Sequence, residues 1–409
     1  MSRVDPMAVG EVIRALGTPE GRADPYPLYH RLRAWGPAVT GPDGILFVTG
    51  YRACIAMLRD PRMRKRPELL MAAAGYPDWM DRPSLRMMFT SILAVNPPQH
   101  TRLRRLVSAV FTPRRMAELR PAVEGTVADL CERTAGETDF VTTFAFPLPV
   151  SIIGELLGVP AADRPMFQTQ VRDWTTVLEA LSPLDVDRAD AAATAIRDYF
   201  TDLAAARRAK PADDLISALA AAPTGPDDQE GDWLTGEELT TMAAFVFAAG
   251  FETTSSLLTN SLLALLAHPD QADRLRTEPG LAKPAVEELL RYDSPVQLLS
   301  SRSAPTDLRL AEVDVAADQP MITLLGAANR DPQVFTDPDR LILDRAEQPP
   351  ASFGGGIHHC VGAALARLEA QVALPALLTR FPRLAVAGTP VPRDGLALHG
   401  FTSLPVSAR

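Results

Sequence analysis

From Thr235 to Pro269 the chain runs without a proline, and apolar residues recur at helical spacing over 239–266. Thr235 followed three residues later by Glu238 has the form of a capping box, which sets the start of the helix, while Pro269 bounds its end. The helix expected over 236–267 has about 32 residues and reaches ~48 Å at 1.5 Å per residue. A helix of that length crosses the body of its domain, so the remaining elements must be arranged around it. Inside its apolar stretch stand Gly250, Glu252, Thr253 and Thr254. Glycine costs about 1 kcal/mol against alanine in such a position, and a buried threonine bonds back to a carbonyl one turn earlier. Two readings are open: a kink with a satisfied Ser/Thr cluster, or a groove where a ligand or water meets a proton-carrying pair, Glu252 and Thr253.

Helical spacing also marks 116–131, 150–157, 188–207 and 285–292. Strand-like stretches are short and fall at 38–49, around a Pro-Asp-Gly turn at 42–44, and at 307–325. The Gly/Pro/Asp-rich stretch 223–232 lies between helices and reads as a loop within one domain. The fold class expected is mainly α, one large helical domain over 1–409 with a small β-rich part. Hydrophobic residues at 46% and charged residues at 22% suit a globular core and exclude a disordered chain. No apolar run approaches the ~20 residues of a spanning helix. The N-terminus has no basic start followed by an apolar core, so a cytoplasmic protein with no membrane partner is expected. A net charge of −9 argues against nucleic acid as a partner. Three scattered cysteines, Cys54, Cys131 and Cys360, make no disulfide framework and leave each free for ligand chemistry.

One of those cysteines sits in an unusual setting, Phe353-Gly354-Gly355-Gly356-Ile357-His358-His359-Cys360-Val361-Gly362, followed by a helix-forming run over 363–374 that Pro375 is expected to interrupt. Glycines let backbone approach a flat ligand closely, and a cysteine just ahead of a helix N-terminus is favoured as thiolate by free N–H groups and the helix dipole. Such an arrangement mounts a soft axial ligand. A zinc site fits poorly, because adjacent residues rarely converge on one tetrahedral ion and no CxxC or HxxxH partner exists elsewhere. A phosphate cradle fails because the Lys-Ser/Thr ending of a P-loop is missing.

These residues resemble the cytochromes P450, specifically their soluble bacterial branch with its haem-thiolate loop FGxGxHxC. Phe353, Gly354, Gly356, His358 and Cys360 fill its fixed positions in the loop 353–362. An ExxR helix, Glu288-Leu289-Leu290-Arg291, lies at the family's usual distance upstream; a second ExxR, Glu11 to Arg14, reads as chance. The family's AGxxTT signature, with an acid before the first threonine, is matched by Ala249-Gly250-Phe251-Glu252-Thr253-Thr254. Asn96-Pro97-Pro98-Gln99-His100-Thr101-Arg102-Leu103-Arg104-Arg105 is similar to the helix over the haem edge, and Asn329-Arg330-Asp331-Pro332 with 335–340 to the loop before the haem segment.

The resemblance implies the cytochrome P450 fold and haem b, with Cys360 as the axial thiolate. His100, Arg104, Arg302 and His358 are then donors to the haem propionates, with Phe353, Gly354, Gly362 and Ala249 against the macrocycle, and Glu288 and Arg291 structural. Thr253 and Glu252 become the catalytic pair that delivers protons during dioxygen activation. The implied reaction inserts one oxygen atom, by hydroxylation or epoxidation, into a hydrophobic natural product such as a polyketide, macrolide or terpenoid. Ile92, Leu93, Phe245, Leu298, Leu299 and Phe401 would line the substrate site, although each is also an ordinary core residue type. The stretches 62–91 and 165–187 look like the family's opening flaps. Electrons would come from a ferredoxin with its reductase, docking on the basic island of Arg102, Arg105, Arg114 and Arg115, which otherwise reads as a solvated face. The protein is expected to be a monomer. Other outcomes of the same centre, oxidative coupling or peroxide-driven oxidation, stay open, as does a non-catalytic relative that binds a partner protein.

Overall fold

The computed structural model describes residues 4–179, 184–221 and 234–409; the loop expected at 223–232 and part of the flap 165–187 lie outside them. The central helix spans Gly236–Ala267, and both halves of its capping box form: the Thr235 hydroxyl accepts from the Glu238 N–H at 3.1 Å, and the Glu238 carboxylate accepts from the Thr235 N–H at 3.1 Å. Helices Pro147–Leu157, Val186–Ala209, Ala282–Tyr292 and Ala363–Arg380 pack around it. By length and composition it could cross a membrane, yet 78% of its most apolar window is buried inside the fold, the condition of a core helix. The helix is continuous through 249–254. Thr253 donates to the Ala249 carbonyl at 2.7 Å and Thr254 to the Gly250 carbonyl at 3.0 Å, so both hydroxyls are satisfied locally. Gly250 is a packing requirement, because a Cβ there would lie 2.7 Å from Ile153 Cγ1 of helix Pro147–Leu157.

Each helix expected from periodicity forms and extends a few residues beyond it: Pro113–Thr134, Pro147–Leu157, Val186–Ala209 and Ala282–Tyr292. Two of these helices begin on proline, where a missing N–H is harmless. One expectation is corrected. Pro375 does not end its helix, which runs from Ala363 to Arg380. The proline removes the bond to the Gln371 carbonyl alone, and burial of Leu374, Leu377 and Leu378 on both sides of it holds the helix together.

The hairpin expected at 38–49 forms from Ala38–Thr40 and Leu46–Val48. It continues into a five-stranded sheet in the order Ala38–Thr40, Leu46–Val48, Met321–Leu324, Leu298–Ser303, Arg64–Lys65. Leu46–Val48 pairs parallel with Met321–Leu324, and Arg64–Lys65 lies antiparallel to Leu298–Ser303. The second expected region yields Leu308–Leu310, Val313–Val315 and Met321–Leu324. Leu298–Ser303 itself, Ser-rich and without alternation, gave no strand signal.

Glu288 and Arg291 are nearly inaccessible, and their carboxylate and guanidinium form two hydrogen bonds of 2.7 and 2.8 Å. Arg291 also donates to the carbonyls of Asn329, Pro338 and Arg340, at 3.0, 2.7 and 3.0 Å. Glu288 accepts from the Ile342 N–H at 2.9 Å and from Arg345 Nε at 3.1 Å. One helix turn thereby organises the irregular stretch 329–345 through charge-assisted bonds. Glu11 and Arg14, the other ExxR, are exposed. Arg291→Ala leaves Glu288 buried beside one remaining guanidinium and is expected to lower stability by about 3–5 kcal/mol. Urea denaturation followed by circular dichroism checks this, and an unchanged midpoint would refute the role.

Candidate active site

The glycine loop is pinned at both ends. Upstream, Asn329 Oδ1 accepts from the Ala351 N–H at 2.7 Å, Asn329 Nδ2 donates to Ser352 Oγ at 2.8 Å, and Ser352 Oγ donates to the Leu290 carbonyl at 2.7 Å. Downstream, the Cys360 N–H closes on the Phe353 carbonyl at 3.0 Å. Gly354 adopts φ 69° and ψ −151°, a region reserved for glycine. Gly356 has φ 65°, and a Cβ there would stand 2.4 Å from the Leu58 carbonyl oxygen, so the loop passes flush against helix Tyr51–Arg59. Gly362 caps helix Ala363–Arg380. Behind the loop the Arg367 guanidinium lies 4.3 Å from the Phe353 ring centroid and pairs with Glu287.

Cys360 is exposed at its own surface but lies deep in the surrounding protein, and burial pushes its thiol pKa up. The N–H groups of Gly362 and Ala363 and the guanidiniums of Arg104 and Arg367 oppose that shift without overcoming it. A metal cation inverts such a balance, since a coordinating thiol is deprotonated outright. Among the described residues no group of three His, Cys, Asp or Glu could hold a metal ion.

The expected propionate donors come together. The rings of His100 and His358 stand 4.2 Å apart. Burial, with Lys65, Arg302 and His100 nearby, drives the His358 pKa down to about 2, and His100 is lowered by burial and by Arg104 and Arg302. Burial lowers Arg302 to about 10. His100 Nε2 and Arg302 Nε are buried with no hydrogen-bond partner. Orphaned donors in a crowd of cations are the complement of a carboxylate, so the residues present fit the two propionates of a haem. Lys65, which no motif marks, is turned inward by the strand's period of two while Arg64 faces out.

On the central helix almost every residue from 239 to 262 is buried, with Phe245, Ala249, Gly250 and Thr253 as the partly open exceptions. Positions 245, 249 and 253 are one turn apart and share a face. Their stripe is apolar apart from one hydroxyl. Glu252 points elsewhere: it is 4% exposed and ion-paired with Arg393, with Arg172 Nε at 4.0 Å. Two guanidiniums distant in sequence thus flank the carboxylate expected to act with Thr253 in proton delivery. Burial lowers Arg393 to about 10 and lowers Arg172 as well. Close to Arg393, the half-buried Glu179 carboxylate accepts from the N–H groups of Leu396, Ala397 and Leu398, tying the stretch 165–179 to the C-terminal segment. Sequence reading missed Arg172, Arg393 and Glu179, whose pairings span from 80 to more than 200 positions.

The candidate substrate residues divide. The strand Phe401–Ser403 reaches the central helix and leaves Phe401 half-buried beside it. Leu93 is half-buried, and the buried Ile92 turns its carbonyl to the His358 ring. Leu298 is corrected: at 4% exposure it packs with Val9, Tyr29, Phe47 and Ile322 in the core beneath the sheet, away from the central helix. Leu299, on the other face of that strand, lies 3.6 Å from where a Gly354 Cβ would be. Of the basic island, Arg102 is drawn inward to an ion pair with Glu238. Arg105 is exposed, Arg114 has its side chain 90% exposed beside Glu118, and Arg115 also leans on Glu118.

The family described as cytochrome P450 matches residues 164–402. The cytochrome P450 monooxygenase PikC of Streptomyces venezuelae is 38% identical over 405 residues, which cover 95% of this chain and 92% of PikC. The chain belongs to the cytochrome P450 family. Another P450 relative, the 6-deoxyerythronolide B hydroxylase of Saccharopolyspora erythraea, is 38% identical over 94% of this chain and 96% of its own. The solved structure of the Bacillus subtilis 168 bacillaene polyketide synthase P450, PksS, superposes with a TM-score of 0.83 at 34% identity, covering 96% of this chain and 98% of PksS. The protein is therefore a bacterial-type P450 monooxygenase with haem as its cofactor. It uses a small substrate, dioxygen and a separate electron donor.

Proposed function

We propose that this P450 is a tailoring monooxygenase that hydroxylates or epoxidises a hydrophobic natural product of polyketide, macrolide or terpenoid type. The observation that carries the reading is the stripe of Phe245, Ala249 and Thr253, partly open within the buried middle of the central helix and apolar except where a single hydroxyl stands. Such a wall orients a greasy substrate by shape and reserves its polar group for chemistry. The printed names of the relatives, a 6-deoxyerythronolide B hydroxylase and a polyketide synthase P450, support the substrate class. We read 1–409 as one catalytic domain, acting as a cytoplasmic monomer.

Haem, when bound through Cys360, supplies dioxygen activation and oxygen insertion, and a thiolate ligand favours O–O cleavage. The chain's own residues do the rest. His100, Arg104, Arg302 and His358 hold the propionates, while Phe353, Gly354, Gly362 and Ala249 lie against the macrocycle. Thr253 Oγ1, already a donor to the Ala249 carbonyl, is the polar atom on the open face that can pass a proton. Glu252 reaches that path once its grip on Arg393 and Arg172 loosens. Electrons enter from a ferredoxin served by its reductase, with Arg105, Arg114 and Arg115 as the docking cations and Arg102 committed to Glu238.

Thr253→Ala is expected to keep consuming reductant while product formation falls by roughly a hundredfold and peroxide accumulates; product and peroxide assays per reductant consumed would show it, and full coupling would remove Thr253 from this role. Reversing Arg105 and Arg114 to Glu is expected to slow reduction by an acidic ferredoxin and flatten its salt dependence. Stopped-flow reduction at several ionic strengths checks this, and an unaltered salt dependence contradicts the docking face.

A further inference from the structure

Phe401 stands half-buried beside the central helix, and the chain just before it is held by a buried ion pair. His399 Nε2 lies 3.3 Å from Asp293 Oδ1, with the two side chains 5% and 19% exposed. Asp293 caps the helix that carries Glu288 and Arg291, and the same carboxylate oxygen accepts from the Tyr26 hydroxyl at 2.8 Å. The His399 ring meets the Phe401 ring edge-on, with centroids 6.5 Å apart. The backbone between them is fixed as well. The His399 N–H donates to the Pro295 carbonyl at 2.8 Å, and the His399 carbonyl accepts from Asn260 Nδ2 of the central helix at 3.3 Å. A Cβ on Gly400 would lie 2.5 Å from Ser256 Oγ, so the turn 399–401 is seated on the central helix one turn beyond Thr253.

Burial opposes a charge on His399, but Asp293, by attraction and a hydrogen bond, prevails with help from Asp24 and a hydrogen bond to the Arg22 backbone, and the pKa is raised. Burial also works against the Asp293 carboxylate, which His399, the Tyr26 hydroxyl and Arg330 nevertheless hold below its usual range. Burial raises Tyr26 and Tyr29, and the carboxylates and guanidiniums facing the ring keep their charge through neutral pH. A buried ion pair is costly to desolvate, and apolar side chains of similar volume would pack such a turn at least as well, so its use lies in holding one arrangement. We propose that His399 is a positioning residue for substrate recognition: paired with Asp293, it fixes the Phe401 ring as a wall of the substrate pocket. The inference rests on the reading of Phe401 as a pocket residue.

The test is titration of the ferric holoenzyme with clotrimazole, a bulky azole, and with unsubstituted imidazole, read from the Soret shift as the azole nitrogen ligates the iron. At about pH 6, His399→Gln is expected to bind clotrimazole about tenfold more weakly than the parent, and imidazole within about twofold. A histidine of raised pKa contributes in full below the ordinary value of about 6.5 and loses its contribution as pH climbs through the raised one, so the ratio of variant to parent Kd is expected to shrink between about pH 6 and about pH 9. In a Phe401→Ala background, His399→Gln is expected to change clotrimazole binding by less than about twofold. Equal clotrimazole binding by parent and His399→Gln would overturn the proposal. So would a loss that does not shrink with pH, one shared by imidazole, or one undiminished in the Phe401→Ala background, since His399 would then act on the fold at large. Unchanged clotrimazole binding in Phe401→Ala alone would remove Phe401 from the pocket, and the proposal with it. If His399→Gln gives no holoenzyme, Asp293→Asn replaces it with the same criteria.

Discussion

Glu288 and Arg291 stand one helical turn apart with almost no surface exposed, and a buried ion pair of this kind survives only if its remaining donors and acceptors are also met. That requirement gathers the stretch 329–345: the carbonyls of Asn329, Pro338 and Arg340 turn to Arg291, and the Ile342 N–H and Arg345 turn to Glu288. Asn329, so placed, uses its side-chain amide to fix Ala351 and Ser352. The glycine loop begins there, so the orientation of Cys360 is inherited from a polar cluster on a different helix. The ExxR pattern acts as a local solution to an irregular backbone problem.

A second constraint works the other way. The region around His100, Arg302 and His358 gathers basic groups where water is scarce, and burial there lowers the pKa values of both histidines and of Arg302. A protein selected for stability alone has no use for it. The same holds for Gly250 and Thr253 in the central helix, where helix preference yields to close packing on Ile153 and to an open hydroxyl. Binding and chemistry are built where local preferences are overruled.

Much of this was legible in the sequence because it depends on short-range pattern. The central helix shows in its capping box and unbroken periodicity, and the loop 353–362 in its glycines and cysteine. What was hidden depends on pairings across the fold. Lys65 looks like its exposed neighbours until the register with Arg302 is known, and the inward turn of Glu252 depends on Arg172 and Arg393, which carry no motif. Leu298 and Leu299 are alike in sequence and differ in surroundings only because a strand alternates its faces. Pro375 misled because tertiary burial outweighs the loss of one backbone bond.

The central claim is that the pinned loop presents the Cys360 sulfur as thiolate to a haem iron whose propionates meet the cationic pocket. The ferrous carbonyl difference spectrum of the purified protein tests it most directly. The account predicts a strongly red-shifted Soret band, the signature of thiolate ligation, and a band at the position of histidine-ligated haem would contradict it.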